Sequence, residues 1–203
     1  MKKLLLLTFA LFAFNACSDD DDPAPAPVPV DPVSETINVT GMLSGANTWT
    51  SNNTYILNQK VVVDAGATLT IEAGTVIKGS AGAGSLASAL VVARGGQIFA
   101  NGTADAPIIM TSVADNLDGN LDPSSPDTQG LWGGLLVLGN APCSFEGDVA
   151  EAQIEGIPAD DTFGLYGGND PSDNSGVIRY VSVRHGGAAV SYTHLRAHET
   201  LDN

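Results

Sequence analysis

The feature that most constrains the fold of this chain is an internal repeat of short strand-like segments. Residues 61–71 align with residues 90–100 at an offset of 29, and each segment carries an apolar run, a glycine turn and a second run. A unit of this size cannot bury its apolar face alone, so repeats of this kind stack on one another. The offset therefore predicts the rungs of a solenoid or the blades of a propeller.

One copy of the repeat shows how its strands would pack. Leu69 and Ile71 alternate with Thr68, Thr70 and Glu72, and a glycine lies close to each end of this run. Side chains alternate between the two sides of a strand, so Leu69 and Ile71 are predicted to point into a core and the other three into water. The glycines are predicted to mark turns.

Short β-branched runs continue along the chain, and residues 36–189 show no apolar period of helix length. Further strands are predicted at residues 108–110, 135–138 and 177–183. Loops rich in small or acidic residues are predicted at residues 80–88, 115–129 and 159–176. A β-sandwich or a propeller would also produce strands of this kind, so periodicity alone leaves these architectures open beside the solenoid.

Composition narrows the class of protein. The length of 203 residues suits a single domain, and a mean hydropathy of +0.11 argues against a disordered chain. The net charge of −15 excludes ordinary nucleic-acid binding, which needs Lys and Arg to displace counterions from phosphates. No apolar run reaches the length of about 20 residues that a membrane-spanning helix needs.

The N-terminus has the organisation of a secretory signal. Lys2 and Lys3 precede an apolar stretch, residues 4–14, which is too short to span a bilayer and is followed by small residues. Residues 1–16 are therefore predicted to form a signal peptide that is removed from the mature protein. Residues 17–35 are acidic and proline-rich, and this composition predicts an extended linker.

The residues around the cleavage point, Phe14-Asn15-Ala16-Cys17, resemble a bacterial lipobox. The resemblance implies that the Cys17 thiol receives a diacylglyceryl group, which would anchor the protein in the outer membrane. The acidic run that follows is similar to the export signal of surface lipoproteins in some Gram-negative bacteria, with a charged spacer as the alternative. This run consists of Ser18, Asp19, Asp20, Asp21 and Asp22.

Three later segments resemble a family of bacterial lipoproteins with a right-handed parallel β-helix fold. Residues 65–79 read A-G-A-T-L-T-I-E-A-G-T-V-I-K-G, residues 130–142 read G-L-W-G-G-L-L-V-L-G-N-A-P, and residues 176–187 read G-V-I-R-Y-V-S-V-R-H-G-G. The resemblance covers about residues 48–189. It implies an all-β, single-stranded parallel β-helix domain over residues 36–189, in which stacked rungs bury ladders of Val, Ile and Leu.

The end of the chain differs from everything before it. Residues 190–200 read V-S-Y-T-H-L-R-A-H-E-T, which resembles one translated frame of a sequencing adapter. His194 and His198 have the spacing of two ligands on one helix face, but the adapter resemblance argues against a metal site. Residues 190–203 are therefore expected to be a non-native tail, and the β-helix is expected to be a fragment that is incomplete at its C-terminal end.

An acidic loop offers candidate ligands for calcium. Asp115, Asp118, Asn120 and Asp122 concentrate oxygen atoms around a glycine, and Ca²⁺ prefers oxygen ligands. Their spacing is not that of an EF-hand loop, and a solvated acidic loop is the alternative. Calcium is the one cofactor that the sequence suggests.

Residues with catalytic potential are present, but none forms a recognised catalytic pattern. Asp160 and Asp161 are adjacent, whereas a glycosidase needs two carboxylates held across a sugar. Arg179, Arg184 and His185 cluster near the last predicted strand, and each is predicted to lie on a solvent face or in a turn rather than to contact a glycan carboxylate. No catalytic residue is assigned.

Cysteine and aromatic side chains are further candidates for a role in binding or catalysis. Cys143 has no disulfide partner if Cys17 is acylated, and it is predicted to be buried. Trp132 is predicted to lie in the core. Trp49, Tyr166 and Tyr180 are aromatic side chains that would suit stacking on sugars.

These features predict a lipid-anchored protein of the cell surface with a structural or ligand-binding β-helix. The expected partners are the membrane, through the anchor, and a polysaccharide or another cell-surface molecule, but no nucleic acid. The long faces of a solenoid suit extended ligands. An enzyme, a polysaccharide lyase or glycoside hydrolase acting on extended glycans, is the alternative, and it rests on analogy with the fold.

Overall fold

A computed structural model describes residues 34–188 apart from positions 83, 123, 146, 148, 156 and 158–160. These residues form strands and short 3-10 helices, so the predicted all-β class is confirmed. The strands are β1 (Thr36–Leu43), β2 (Ala46–Trp49), β3 (Thr54–Val63), β4 (Thr68–Ile71), β5 (Val76–Gly79), β6 (Ala89–Val92), β7 (Gln97–Asn101), β8 (Ile108–Ser112), β9 (Gly134–Val137), β10 (Glu151–Gln153), β11 (Leu165–Gly167), β12 (Gly176–Arg179) and β13 (Val181–Val183). The 3-10 helices are Gly84–Leu86, Pro126–Thr128 and Thr162–Gly164.

Eleven of these strands pair in parallel and wind around one axis with three faces. The first face stacks the first halves of β1 and β3 with β5, β8 and β13. The second face stacks the second halves of β1 and β3 with β6 and β9, because both long strands bend from one face to the next. The third face stacks β2, β4, β7 and β12. The protein is therefore a parallel β-helix, as predicted.

The repeat found in the sequence is present in the register of the strands. Val61 pairs with Leu90 and Thr68 pairs with Gln97, and both pairs are 29 residues apart. The offset is 22 where β2 meets β4 and where β3 meets β5, but it grows to 45 between β6 and β9 and to 78 between β7 and β12. The first rungs are thus regular, and the later rung carries long insertions.

Alternation along each strand fills the interior of the solenoid. Leu69 and Ile71 on β4 are buried, as predicted, while Thr68 and Thr70 are half-buried and Glu72 is exposed. The corresponding inward side chains of the other strands complete one apolar core. Its buried members are Trp49, Tyr55, Leu57, Val61, Val63, Ala67, Leu69, Ile71, Ile77, Leu90, Val92, Ile98, Ala100, Ile108, Met110 and Trp132.

Side chains that pack closely against the backbone explain why a glycine is needed at one position of the first face. Gly79 occupies an inward position of β5, where a side chain would be expected. A methyl group at Gly79 would lie 2.7 Å from Trp132 Cβ and 2.6 Å from Ser88 Oγ. The Trp132 ring, which is fully buried, occupies the space that a side chain at Gly79 would need, and the prediction that Trp132 lies in the core is confirmed.

Two inserted segments interrupt the rung that begins with β8. The acidic loop, residues 113–133, joins β8 to β9, and the arm, residues 138–175, joins β9 to β12. The arm contains the antiparallel hairpin of β10 and β11, which the sequence did not predict. Side chains of the arm pack with the outer side of β6 to form a second apolar core. Its buried members are Val62, Ala87, Ala89, Val91, Ala93, Leu138 and Ile157.

The last predicted strand, residues 177–183, is two strands rather than one. Tyr180 has a φ of +48°, a left-handed conformation that breaks the extended run between β12 and β13. The break turns the chain from the third face to the first face. The sequence pattern missed it because residues 177–183 are rich in β-branched and aromatic residues and contain no Gly, Pro or Asn to indicate a turn.

Residues 1–33 and 189–203 lie outside the described residues, and so do the predicted signal peptide, Cys17, the acidic run and the expected tail. In the part of the chain that the structure describes, there is no helix long and apolar enough to cross a membrane.

Candidate functional site

A buried polar cluster connects the acidic loop to the first face. Asp115 lies three residues after the end of β8, and only 3% of the residue is exposed. Its Oδ2 atom accepts a hydrogen bond of 2.8 Å from the Thr111 hydroxyl, and its Oδ1 atom accepts one of 2.8 Å from the Leu117 N–H. The Lys78 ammonium donates to the backbone carbonyl oxygen of Asp115 at 2.7 Å. Lys78 and Thr111 are paired neighbours on β5 and β8, so the register of the first face positions both groups.

Two basic side chains from the segment after β13 face the same carboxylate. Nη1 of Arg184 and Nε2 of His185 each lie 3.9 Å from Asp115 Oδ2. The imidazole is 1% exposed, and its Nδ1 atom lies 2.8 Å from the Thr128 carbonyl oxygen. Because a carbonyl oxygen only accepts hydrogen bonds, the ring donates through Nδ1–H. His185 therefore bridges two parts of the acidic loop.

The surroundings of Asp115 determine its ionisation. Burial raises the pKa of this carboxyl group, because it disfavours the charged form. The hydrogen bonds from Leu117 and Thr111 and the nearby side chains of His185 and Arg184 act in the opposite direction and outweigh burial, so the pKa of Asp115 is lowered from its ordinary value. Asp115 is consequently a carboxylate at neutral pH that is held by several partners at once.

Backbone contacts fasten the end of the acidic loop to the same segment. The Leu131 N–H donates to the His185 carbonyl oxygen at 2.9 Å, and the Trp132 indole N–H donates to the Arg184 carbonyl oxygen at 2.7 Å. His185 has a φ of +57°, so the chain turns sharply where these bonds are made. The cluster thus closes the acidic loop over one corner of the solenoid.

The other predicted calcium ligands do not share this site with Asp115. The Asp118 carboxylate accepts hydrogen bonds from the backbone and side chain of Asn120, and these bonds lower the pKa of Asp118. The Asp122 carboxylate accepts hydrogen bonds from the backbone N–H and hydroxyl of Ser124, which lower the pKa of Asp122. Asp118, Asn120 and Asp122 are all exposed.

Among the described residues, no group of three or more His, Cys, Asp or Glu side chains is arranged to hold a metal ion. Calcium binding by the acidic loop remains a prediction.

Ion pairs attach the arm to the second face. The Lys60 ammonium on β3 contacts the Asp161 carboxylate, whose other oxygen accepts a hydrogen bond of 3.1 Å from the Phe163 N–H. Arg94, which follows β6, contacts the Glu151 carboxylate on β10 at 2.5 Å. Asp161 is therefore engaged in holding the arm. Asp160, its neighbour in the predicted carboxylate pair, lies outside the described residues.

The remaining candidate side chains are divided between core and surface. Trp49 stacks on Tyr55 inside the solenoid, so its ring is not presented to a ligand. The half-buried Tyr166 packs against the second core. Arg179 and Tyr180 are exposed, as a binding role would require. Cys143 is also exposed, so the prediction of a buried thiol was wrong. Cys143 stands in the arm, where the chain leaves the regular rungs and buries fewer of its side chains.

Sequence reasoning missed the approach of His185 to Asp115. The two residues are 70 positions apart, and no local motif links them. Only the pairing of β8 with β13 on the first face places the ends of these strands side by side. The parallel register was the available signal, because residues that follow neighbouring parallel strands emerge at the same edge of a sheet.

Comparison with known families adds to this geometry. The model of the pectate-lyase-like beta helix domain matches residues 41–196, which is most of the chain. No match was found among curated proteins or among solved structures. The matched range includes every strand from β2 to β13, and the strand pairing is that of a parallel β-helix. The chain therefore belongs to the family of pectate-lyase-like β-helix domains.

Proposed function

We propose that this chain is a lipid-anchored protein of the cell surface whose β-helix has a structural or glycan-binding role. The observation that carries the proposal is the use of its polar groups. Asp115 and His185 face each other and together hold the acidic loop, and Asp161 holds the arm, so these three side chains with the chemistry of an active site are engaged in fastening the inserted segments. The long faces of the solenoid then remain as the surface for function.

The proposed anchor is the acylated thiol of Cys17, followed by an extended linker that separates the β-helix from the membrane. The features that support it are the apolar stretch before Cys17 and the acidic and proline-rich composition of residues 17–35. Metabolic labelling with a clickable fatty acid is expected to mark the wild type and to be lost in Cys17→Ala. Cys143→Ala is the matched control and should label normally, whereas label retained in Cys17→Ala would contradict the anchor.

Surface exposure is proposed to depend on the acidic run after Cys17. Protease added to intact cells is expected to degrade the wild-type protein. A variant in which Asp19, Asp20, Asp21 and Asp22 are replaced by Ala is expected to be protected, although it remains lipidated. Equal degradation of both proteins would show that the run is only a spacer.

Binding is distinguished from catalysis by one assay. Purified full-length chain in detergent is incubated with a panel of insoluble polysaccharides, and the sedimented protein and the soluble sugar are both measured. We expect the protein to sediment with at least one polysaccharide and to release no sugar. Sedimentation with none of them would contradict the glycan-binding role.

A glycan-degrading enzyme is the second candidate function. The match to the pectate-lyase-like family favours it. Release of oligosaccharides with a new double bond would identify a lyase, and release of new reducing ends without the double bond would identify a hydrolase. The buried position of the His185 ring argues against its contact with a substrate.

A further inference from the structure

We infer that the outer side of the third face binds an extended, neutral glycan, with Phe99 as the ring on which a sugar stacks. This inference rests on the proposed glycan-binding role and adds to it the location of the site and the class of ligand. Four residues define the outer side of the third face, one from each strand. They are Thr48 on β2, Thr70 on β4, Phe99 on β7 and Val177 on β12.

The four defining residues form one straight ladder along the solenoid axis. Thr48 pairs with Thr70, Thr70 pairs with Phe99, and Phe99 pairs with Val177. Neighbouring strands are about 4.8 Å apart, so the ladder presents one side chain per rung at nearly constant spacing. This spacing is close to the length of one sugar unit in an extended glycan. A glycan that lies along the axis would therefore meet an equivalent position on each rung.

Phe99 is an aromatic side chain on the outer side of β7. The residues before and after it, Ile98 and Ala100, are buried in the main core, whereas Phe99 is half-buried and belongs to neither apolar core among the described residues. Aromatic rings offer large apolar contact area in a fixed orientation. The apolar face of a pyranose ring is a suitable partner for such a surface.

Hydrogen-bonding groups surround this ring. Thr70 lies on one side of Phe99 in the ladder, and Thr68 and Gln97 form the neighbouring pair along the same two strands. Asn101 lies two residues beyond Phe99 and pairs with Arg179, and both are exposed. Hydroxyl, amide and guanidinium groups around an aromatic ring provide the few oriented polar contacts that a sugar-binding surface needs.

The charge of this face indicates a neutral ligand. Arg179 is the single charged residue in β2, β4, β7 and β12, in a chain whose net charge is −15. A polyanionic glycan would be repelled by the whole protein and would find one cation on the face itself. A neutral glycan avoids this repulsion and retains the stacking and hydrogen-bonding contacts.

The other two outer surfaces are less suitable. The arm covers the outer side of the second face, where Val62 and Val91 are buried in the second core. On the first face, Lys78 and Thr111 are engaged by Asp115 of the acidic loop. The third face combines exposed polar residues with a ring outside both cores.

Affinity electrophoresis of the full-length chain in detergent tests the inference. A neutral soluble β-glucan and a neutral mannan are compared with polygalacturonate. We expect a neutral glycan to retard the wild type, Phe99→Trp to be retarded similarly, and Phe99→Ala to lose about tenfold in affinity because one stacked ring is removed. Thr70→Arg, which places a large side chain in the ladder beside Phe99, is expected to weaken retardation as well.

The matched control is Met42→Ala, which removes an exposed apolar side chain from the second face and should not change retardation. Circular dichroism and melting curves of each variant show whether it remains folded, and Thr70→Arg and Phe99→Trp keep the test valid if Phe99→Ala unfolds. Retardation by polygalacturonate alone would overturn the neutral class. Retardation by a neutral glycan that is unchanged in Phe99→Ala and Thr70→Arg would overturn the site but not the glycan-binding role. The absence of any retardation would overturn both the site and the glycan-binding role.

Discussion

The first rungs of the β-helix and the two inserted segments are stabilised in different ways. In β3, β4, β6 and β7 each strand pairs with an equivalent strand on the next rung, and inward side chains form continuous apolar ladders. The acidic loop and the arm are much longer than the connections at the corresponding places of the preceding rung, residues 80–88 and 93–96. Asp115, Lys60 and Arg94 make individual contacts that hold them to the solenoid. The comparison shows that repetition stabilises the rungs, whereas single polar contacts position the insertions.

The largest effect is expected from damage to a regular rung. Leu69 is fully buried in the middle of the third face. Leu69→Ala removes buried apolar surface and leaves a cavity, which should lower the free energy of unfolding by about 2–5 kcal/mol. Chemical denaturation followed by circular dichroism measures the loss.

The matched control for this change is Leu86→Ala, since Leu86 is 62% exposed in the loop before β6. Its effect should remain within about 0.5 kcal/mol. Equal destabilisation by the two variants would mean that the ladders of the rungs do not dominate stability.

An intermediate effect is expected from the carboxylate that closes the acidic loop. Asp115→Asn keeps the size of the side chain but removes the charge that Thr111, Leu117, Arg184 and His185 surround, and it should cost about 1–3 kcal/mol at neutral pH. Because the pKa of Asp115 is lowered in the folded state, its stabilisation is present above the unfolded pKa of about 3.9 and is lost as the pH falls through the folded pKa.

Acid titration of melting temperature checks this prediction. The wild type should lose stability more steeply below about pH 4 than Asp115→Asn does. Asp127→Asn changes an exposed carboxylate of the same loop and is the control for charge alone. Parallel acid curves for the wild type and Asp115→Asn would show that the cluster does not depend on the ionised carboxylate.

The smallest effect is expected from the ion pair that attaches the arm. The side chains of Lys60 and Asp161 are 20% and 21% exposed, so solvent screens their attraction. Asp161→Asn should cost about 0.5–1 kcal/mol and should speed hydrogen exchange in β10 and β11 without changing exchange in β4 and β7. Exchange mass spectrometry resolves the two regions.

Asp105→Asn, in an exposed loop of the regular rungs, provides the matched control for Asp161→Asn. Faster exchange throughout the domain after Asp161→Asn would argue that the arm and the rungs unfold as one unit. That result would remove the distinction between the two regions.

The sequence predicted the regular rungs better than it predicted the inserted segments. The offset of 29, the alternation at Leu69 and Ile71 and the core position of Trp132 were readable because strand periodicity and stacked repeats are local or repeated signals. The break at Tyr180 was missed, because a strand-forming run without Gly, Pro or Asn gives no sign of a residue with left-handed φ. The hairpin of the arm was missed because its two strands are three residues long and lie far apart in the chain.

The candidate polar groups were identified by type but not by partner. Asp115 was grouped with its neighbours in the acidic loop, although its hydrogen bonds reach to β8 and its ionic contacts reach to the segment after β13. Cys143 was assigned to the interior from the usual burial of free cysteines, but it lies on an exposed part of the arm. The contacts of Asp115 join segments that only the winding of the solenoid brings together, and the exposure of Cys143 follows from the path of the arm.

The strand class, the repeat and the direction of the inward side chains follow from the amino-acid pattern, because they depend on the alternation of neighbouring residues and on a repeat within one chain. Which face is covered, which carboxylate is buried and which ring is left outside the cores depend on the folded arrangement of the rungs. Parallel stacking brings Asp115 to His185 and leaves Phe99 on the outer side of the third face. Such contacts depend on the register between rungs and on the paths of the insertions, and neither is encoded in a local pattern.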